Sequence, residues 1–123
     1  MKIDFHCHTK SVKKGETKKR NIDSKRFVEK INDANVKIVA ITNHNEFDRK
    51  QYEEFIKEAK ESFQIWPGIE LDIKDDKTKA HLIVISNPNC LDEFEISINN
   101  LIGDNDKSTF IANIEDVLNE FNN

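Results

Sequence analysis

Short apolar runs alternate with amphipathic stretches along the first part of the chain, a pattern that predicts strands alternating with helices. A first strand is expected at residues 2 to 7. Asp23 or Ser24 can cap a helix that runs to about Asn35, and the β-branched run at 37 to 42 predicts a second strand covered on both faces. This order predicts a right-handed β-α-β unit with parallel strands. The apolar stripe of the helix consists of Phe27, Val28, Ile31 and Ala34.

A second helix, a third strand and a hairpin follow in the middle of the chain. Asp48 can cap a helix that runs to about Ser62. The third strand is expected at 64 to 71, with an interruption at its Pro-Gly pair. Residues 69 to 86 predict a hairpin, because two apolar runs flank a polar turn. The apolar stripe of this second helix consists of Tyr52, Phe55, Ile56 and Ala59.

The chain beyond residue 89 returns to a helical pattern, with two amphipathic stretches separated by a polar break after Gly103 and no further strand. No internal repeat or linker divides the 123 residues, so we expect residues 1 to 123 to form one α/β domain with about four strands and flanking helices. The two helical stripes consist of Leu91, Phe94, Ile98 and Leu101, then Phe110, Ile114, Val117, Leu118 and Phe121.

Composition narrows the class of protein. Charged residues make up 34% of the sequence, and no apolar run approaches the roughly 20 residues that a spanning helix needs, so no membrane partner is expected. The N-terminus begins a strand and lacks the apolar stretch of a signal peptide, which favours a cytoplasmic protein. Cys7 and Cys90 are too few for a disulfide framework and lack Cys-x-x-Cys spacing. We expect both cysteines to be reduced and partly buried.

Charge is distributed unevenly along the chain. Residues 1 to 26 hold nine Lys or Arg against three acidic residues, whereas residues 87 to 123 hold one lysine against eight acidic residues. Residues 9 to 22 have scarcely any apolar side chain and predict an exposed loop, in which Lys13 and Lys14 are candidate phosphate-binding residues. Such clusters are also typical of ordinary solvated surface. Nucleic-acid binding by this loop and its flanks stays open, although no aromatic residues interleave with the basic ones.

The first strand carries two of the four histidines. His6 and His8 stand two residues apart, so on an extended strand both point to one face while Phe5 and Cys7 point to the other. Two imidazoles on one strand can clamp a metal ion with little loss of chain entropy. An isolated His-x-His is frequent by chance, so the remaining ligands decide whether a metal site is present.

The other candidate ligands also fall at the ends of predicted strands. His44 follows the second strand, at the edge of a parallel sheet where ligands gather. The predicted hairpin brings Glu70 and His81 near each other. Because no histidine lies on a predicted helix face, this distribution favours a shared metal site over scattered surface histidines.

Three motifs in order resemble those of the polymerase and histidinol phosphatase (PHP) family. Residues 4 to 9, Asp-Phe-His-Cys-His-Thr, resemble its first motif, and 41 to 45, Ile-Thr-Asn-His-Asn, resemble the second, usually Ile-Thr-Asp-His-Asn. Residues 67 to 70, Pro-Gly-Ile-Glu, resemble the third, and the strand from Ala80 is similar to the next histidine-bearing strand. The likeness is greatest to PHP domains that begin large ATPase-containing proteins, which implies an ATPase domain in the same polypeptide.

The resemblance implies part of a distorted (β/α) barrel with two or three divalent ions (Zn, Mn or Fe) that hydrolyses phosphoesters of nucleotide- or nucleic-acid-related substrates. By that analogy His6, His8 and Glu70 hold one ion. Glu70 bridges to a second ion held by His81, and His44 serves a further site. Paired cations activate a bound water and neutralise charge that develops on a phosphoryl group.

The analogy also assigns Asp4 to orient an imidazole by accepting its second N–H.

The sequence departs from the family pattern in three ways. Asn43 replaces the usual Asp, which removes a negative charge near the metals. The loop that normally supplies an Asp or His ligand offers Glu16 instead, and no histidine follows His81 to match the later family ligands.

Several alternatives remain open on sequence grounds. About four β-α units fit into 123 residues where such a barrel needs seven or eight. The chain is therefore expected to be the N-terminal part of a longer barrel, or a reduced form whose sheet edge is covered by a partner or a second copy. A non-catalytic module that binds metal or phosphate within a larger ATPase-type protein is the main functional alternative. An amidohydrolase-type hydrolase also begins with His-x-His but fits the later segments less well.

Overall fold

The computed structural model describes residues 1–16 and 21–122. Residues 17–20 of the predicted exposed loop lie outside the described residues. In chain order the elements are β1 (Lys2–Cys7), α1 (Ser24–Asp33), β2 (Val36–Ile41), α2 (Arg49–Ala59), β3 (Gln64–Asp75), β4 (Thr78–Ile85), a 3-10 turn (Pro88–Cys90), α3 (Leu91–Ile102), β5 (Ala112–Asn113) and α4 (Ile114–Phe121).

The strands form one mixed sheet in the order β1-β2-β3-β4. β1, β2 and the first half of β3 are parallel, whereas β4 runs antiparallel to the second half of β3. The predicted α/β class, the parallel β-α-β unit and the hairpin are therefore confirmed. β5, which was not predicted, pairs in parallel with β3 at Ile73 and Lys74. Two residues of strand are too short to leave a periodic signal.

Side-chain caps begin the first two long helices, as predicted. The Asp23 carboxylate accepts a hydrogen bond from the backbone N–H of Arg26, and the Asp48 carboxylate accepts one from that of Gln51. Each bond satisfies a backbone donor that has no partner inside the helix. These caps fix where α1 and α2 leave the loops that follow β1 and β2.

The third strand runs through its Pro-Gly pair, so the predicted interruption there is wrong. β3 pairs with β2 up to Pro67 and with β4 from Gly68 onward, so the strand exchanges one neighbour for another instead of ending. A Cβ on Gly68 would lie 2.9 Å from Thr42 Cγ2, 3.0 Å from the Ile41 carbonyl oxygen and 3.1 Å from that of Val84. Glycine is required because the neighbouring strands approach its backbone this closely.

A β-bulge in the first strand changes which face of the sheet its side chains lie on. The pairing of β1 with β2 is irregular between Asp4 and Cys7, where three steps along β1 match two along β2. Cys7 packs against the core formed with α1 and α2, whereas the Phe5 ring contacts Trp66, with ring centroids 5.9 Å apart. Because Ile65 belongs to that core, its neighbour Trp66 faces the other way. The expectation that Phe5 and Cys7 share a face is therefore wrong, because a bulge breaks the two-residue period.

Two hydrophobic clusters hold the helices against the sheet. The first joins α1 and α2 to β2 and the start of β3, and the second joins α3 and α4 to the second half of β3. Three residues placed on apolar stripes, Ala34, Ile56 and Leu118, are instead exposed. Among the fully buried side chains are Phe55 and Ile65 in the first cluster and Ile69, Leu71, Ile102 and Val117 in the second.

Two expectations from composition can be compared with the structure. Cys7 is half-buried as predicted, but Cys90 is exposed, because the 3-10 turn before α3 holds it at the surface. Within the described residues, no helix combines the length and apolar character needed to cross a membrane.

Candidate metal centre

Four imidazoles surround the carboxylate of Glu70. His6 lies on β1 and His8 just beyond its end, His44 follows β2, and His81 lies on β4 beside β3. Parallel strand ends and a hairpin partner thus bring together residues far apart in sequence. The structure places all five predicted ligand residues in one cluster.

The two oxygens of Glu70 face different pairs of histidines. Oε1 lies 3.2 Å from His6 Nε2 and 3.4 Å from His81 Nδ1. Oε2 lies 3.0 Å from His8 Nε2 and 3.2 Å from His44 Nδ1. The side chains of His6 and His81 are 51% exposed, whereas those of His8 and His44 are 13% and 14% exposed. One side of the carboxylate is therefore enclosed and the other is open to solvent.

The enclosed side contains polar atoms without hydrogen-bond partners. His44 Nδ1 and Glu70 Oε2 are buried and make no hydrogen bond, although they lie close together. Buried polar groups are almost always satisfied, so such a pair needs an explanation. A cation that accepts both lone pairs supplies one, and imidazole with carboxylate is a donor set that suits Zn, Mn or Fe. His6, His8 and Glu70 in particular can each offer a ligand atom within 4.8 Å of the others. The residues present fit a divalent metal ion.

Electrostatics on the enclosed side favour neutral imidazole, the form that binds metal. Burial lowers the pKa of His8 below its usual value, and the neighbouring His44 acts in the same direction. Glu70 opposes this shift. The His8 and His44 ring centroids lie 4.5 Å apart, so two positive charges there would repel each other.

The main chain places His44 against Glu70. The two residues form an isolated parallel β-bridge, in which the Glu70 N–H donates to the Asn43 carbonyl oxygen at 3.0 Å. The Asn45 N–H donates to the Glu70 carbonyl oxygen at 2.9 Å. The segment after β2 therefore continues as a neighbour of β3, which fixes both side chains on one side of the sheet.

Asn43, which replaces the usual Asp of the family motif, has a side chain engaged away from the histidines. Its Oδ1 accepts hydrogen bonds from the backbone N–H groups of Thr9, at 2.7 Å, and Lys10, at 3.1 Å. Its Nδ2 donates to Thr9 Oγ1 and Gln51 Oε1. Thr9 is only 1% exposed, so the prediction of an exposed loop is wrong at its first residue. This network ties the chain after His8 to β2 and α2.

Glu16 and Asp4 make different contacts from those considered from sequence. Glu16 Oε1 accepts hydrogen bonds from the backbone N–H groups of Val12 and Lys13. Partial burial raises its pKa, but these two bonds and the nearby histidines prevail and hold the pKa below the usual value. Asp4 Oδ1 accepts from the backbone N–H of His6 at 2.9 Å, rather than from an imidazole. A carboxylate two residues back along a strand reaches the main chain more readily than the ring.

Asp72 is a residue of the cluster that sequence reasoning missed. Its Oδ1 lies 3.1 Å from His81 Nε2, on the side of that ring away from Glu70. A signal was available, because Asp72 stands two residues after Glu70 on one strand face and opposite His81 in the hairpin register.

The two candidate phosphate-binding lysines line a cavity beside the cluster. This cavity has a volume of about 480 Å³ and is also lined by Asp72, His81 and Ser108. Lys13 Nζ lies 3.1 Å from Asp72 Oδ2, so part of its charge is already paired. The backbone N–H of Lys14 donates to the Ser108 carbonyl oxygen at 3.0 Å, which joins the loop after β1 to the loop between α3 and β5.

The chain is similar in fold to part of two larger proteins. One is a structure from Bifidobacterium adolescentis, assigned as a metal-dependent phosphoesterase, with a TM-score of 0.52 at 14% identity. Another is an amidohydrolase from Chromobacterium violaceum, with bound sulfate and no metal, with a TM-score of 0.53 at 11% identity. Each alignment covers 81% of this chain and 32% of the other, so the chain spans about a third of the length of these structures. These likenesses show a shared α/β fold.

The sequence comparison gives the family directly. No curated protein matches the sequence. The PHP domain family, in contrast, matches residues 4–120, which include all five clustered ligand candidates. This match covers nearly the whole chain, and the chain therefore belongs to the PHP family.

Proposed function

We propose that this protein is a metal-dependent phosphoesterase whose metal centre includes His6, His8, His44, Glu70 and His81. The observation that carries the proposal is the convergence of four imidazoles on the single carboxylate of Glu70, which is 4% exposed. A buried carboxylate surrounded by imidazole nitrogens, with Glu70 Oε2 and His44 Nδ1 left without hydrogen-bond partners, is well suited to hold cations.

Two or three divalent ions, Zn, Mn or Fe, are the proposed cofactors. Glu70 can serve two ions, because it offers two oxygens with imidazole nitrogens around both. His6, His8 and Glu70 would hold the first ion, and His44 or His81 would hold the second. When bound, such ions would lower the pKa of a coordinated water and neutralise negative charge on a phosphoryl group.

The surrounding residues supply substrate binding and orientation. The bulge in β1 and the hydrogen bonds of Asn43 hold the two sides of the cluster in fixed positions. The open side, at His6 and His81, gives a phosphorylated substrate access from solvent. Lys13 and Lys14 line the adjoining cavity and would attract its negative charge. A nucleotide or a nucleic-acid end is the substrate class we propose.

Hydrolysis of a chromogenic aryl phosphate by the full chain loaded with Mn²⁺ or Zn²⁺ tests this function. We expect turnover that is lost in His8→Ala and Glu70→Gln, because each removes a ligand from the enclosed side. Glu61→Gln, a matched change at an exposed position, should retain the activity. Metal-dependent turnover that survives Glu70→Gln would contradict the proposal.

The open side of the cluster favours one second candidate. With His6 and His81 half-exposed, the site can hold a cation without enclosing a substrate. The chain would then be a non-catalytic metal- or phosphate-binding module that regulates a larger ATPase-type protein or assembles with its own copies. Stoichiometric metal binding without hydrolysis of any phosphoester in the metal-loaded protein would support this candidate over the first.

A further inference from the structure

The imidazole of His81 lies between two carboxylates. Its Nδ1 is 3.4 Å from Glu70 Oε1, and its Nε2 is 3.1 Å from Asp72 Oδ1. A neutral imidazole carries one proton, so only one of these nitrogens can offer a lone pair to a metal ion. The carboxylate that accepts a hydrogen bond from the ring N–H therefore determines which nitrogen is free. His81 can bind a metal ion beside Glu70 only if the proton is on Nε2, which faces Asp72.

Asp72 is held firmly in its position. It is 8% exposed, and its backbone N–H donates to Asn45 Oδ1 at 3.1 Å. Asn45 is fully buried and also donates to the carbonyl oxygens of Lys107 and Phe110. Asp72 and His81 are direct partners in the β3–β4 register, so the two side chains share one face of the hairpin. The carboxylate is thus fixed against the outer nitrogen of the ring.

Glu70 is less well placed than Asp72 to accept a hydrogen bond from the ring N–H of His81. Its oxygens already have three other imidazoles around them, with nitrogens at 3.0 to 3.2 Å. The oxygen that faces His81, Oε1, lies nearer to His6 Nε2, at 3.2 Å, than to His81 Nδ1, at 3.4 Å. Among the described contacts of Asp72, His81 is the one imidazole. Asp72 also accepts a hydrogen bond from Lys13 Nζ, which lies 3.1 Å from the same Oδ1. The shorter distance from His81 to Asp72 than to Glu70, together with the crowding of imidazoles at Glu70, favours a proton on Nε2.

We propose that Asp72 is a positioning residue, which holds the proton of His81 on Nε2 and so leaves Nδ1 free to bind a metal ion beside Glu70. Carboxylates that fix the tautomer of a ligating histidine are common partners of metal sites, and their loss costs about 10- to 100-fold in metal affinity. The proposal rests on the metal centre described above. It gives Asp72 the role that the family resemblance assigned to Asp4.

The neighbouring Lys13 provides a way to separate this role from a purely structural one. Its Nζ lies 3.1 Å from both Asp72 oxygens. If Asp72 mattered only as the partner of Lys13, then removal of either residue would break the same ion pair and have the same effect. If Asp72 acts on His81, loss of Asp72 should weaken metal binding. Loss of Lys13 should leave binding unchanged or strengthen it, because a positive charge near the cations disappears.

Two measurements on the full chain test the proposal. The first is the tautomer of His81 in the metal-free protein at about pH 8, from ¹⁵N–¹H correlation spectra of the imidazole rings, with His81→Gln to assign the signals. The second is the affinity for Mn²⁺ or Zn²⁺ alone, by calorimetry, in Asp72→Asn and Lys13→Met. Asp75→Asn and Lys74→Met, at exposed positions of the same strand, are the matched controls.

We expect the Nε2-protonated tautomer in the unsubstituted protein, a shift toward the Nδ1-protonated form in Asp72→Asn, and a loss of affinity of about tenfold or more in that variant. Lys13→Met should bind metal at least as tightly as the unsubstituted protein. Nδ1 protonation in the unsubstituted protein, or equal losses in Asp72→Asn and Lys13→Met, would overturn the proposal. If the unsubstituted chain binds no metal, the proposed function fails, whereas the tautomer measurement still decides the role of Asp72.

Discussion

His44 and Glu70 are joined twice, once by a parallel β-bridge between their backbones and once by their side chains, where His44 Nδ1 lies 3.2 Å from Glu70 Oε2. The backbone contact sets the side-chain contact, because both residues are fixed at adjacent positions of the sheet. Yet neither of these buried atoms makes a hydrogen bond. The main chain thus holds two unsatisfied candidate ligand atoms together, as a preformed metal site would require.

Asn43→Asp, which restores the usual family residue, should destabilise this protein. The carboxylate would keep the hydrogen bonds from the Thr9 and Lys10 backbone but lose the donor that serves Thr9 Oγ1 and Gln51. Because the position is 1% exposed, we expect a loss of about 1–3 kcal/mol in the free energy of unfolding at pH 7.

Chemical denaturation at pH 7 and pH 4 gives the check on Asn43→Asp. A carboxyl that gains a proton at low pH recovers a donor, so the difference from the unsubstituted protein should shrink at pH 4. Equal stability of the two proteins at pH 7 would show that the amide donor contributes nothing.

Gly68→Ala should destabilise the sheet where β3 changes partners. The added methyl group meets Thr42 Cγ2 at 2.9 Å and two carbonyl oxygens at 3.0 and 3.1 Å. We expect a cost of about 1–3 kcal/mol, the usual range for overpacking. Thermal or denaturant unfolding measures it.

The side-chain part of that clash can be relieved separately. Thr42→Ser removes Cγ2 and keeps the hydroxyl oxygen that accepts from the Cys7 backbone N–H. In the double variant Gly68→Ala with Thr42→Ser, we expect a smaller loss than the two single losses added together. Strict additivity would mean that Thr42 does not limit the space at Gly68.

Tyr52, the single tyrosine of the chain, should titrate late and link stability to alkaline pH. Burial raises its pKa to about 12, and its hydroxyl donates to the Ile65 carbonyl oxygen at 2.8 Å. Its pKa in the unfolded chain is about 10. The folded state therefore favours the protonated form, so this stability is present below pH 10 and is lost as the pH rises from about 10 toward 12.

Absorbance at 295 nm follows this ionisation directly, because no other tyrosine contributes. The native protein should show little phenolate at pH 10.5, whereas protein unfolded in denaturant should show a majority. A Tyr52→Phe variant should lose stability less steeply above pH 10. Half-ionisation of the native protein near pH 10 would contradict the buried placement.

The clustering of the candidate ligands was predictable because their placement depends on local rules. His6 lies at the end of β1, and His8 and His44 follow the ends of β1 and β2. Parallel strands bring these ends to one edge of the sheet. Glu70 and His81 were predicted to lie near each other, because two apolar runs flanking a polar turn indicate a hairpin. These inferences needed the type and order of elements but not their exact pairing.

Features that depend on register between distant strands were not predictable in the same way. The bulge between Asp4 and Cys7, which turns Phe5 toward Trp66, follows from pairing with β2. The unbroken course of β3 through Gly68 depends on two different neighbouring strands. Asp72 required the hairpin register, which a pattern of apolar residues alone does not give.

Anomalous X-ray diffraction from crystals of the full chain grown with Mn²⁺ or Zn²⁺ tests the metal centre most directly. Our account predicts an anomalous peak at the Glu70 carboxylate, about 2.0–2.2 Å from one of its oxygens and from the Nε2 atoms of His6 and His8. A second peak on the His44 or His81 side of the same carboxylate would extend the centre to two ions. Crystals with no peak at Glu70, or with the same peak in Glu70→Gln, would contradict it.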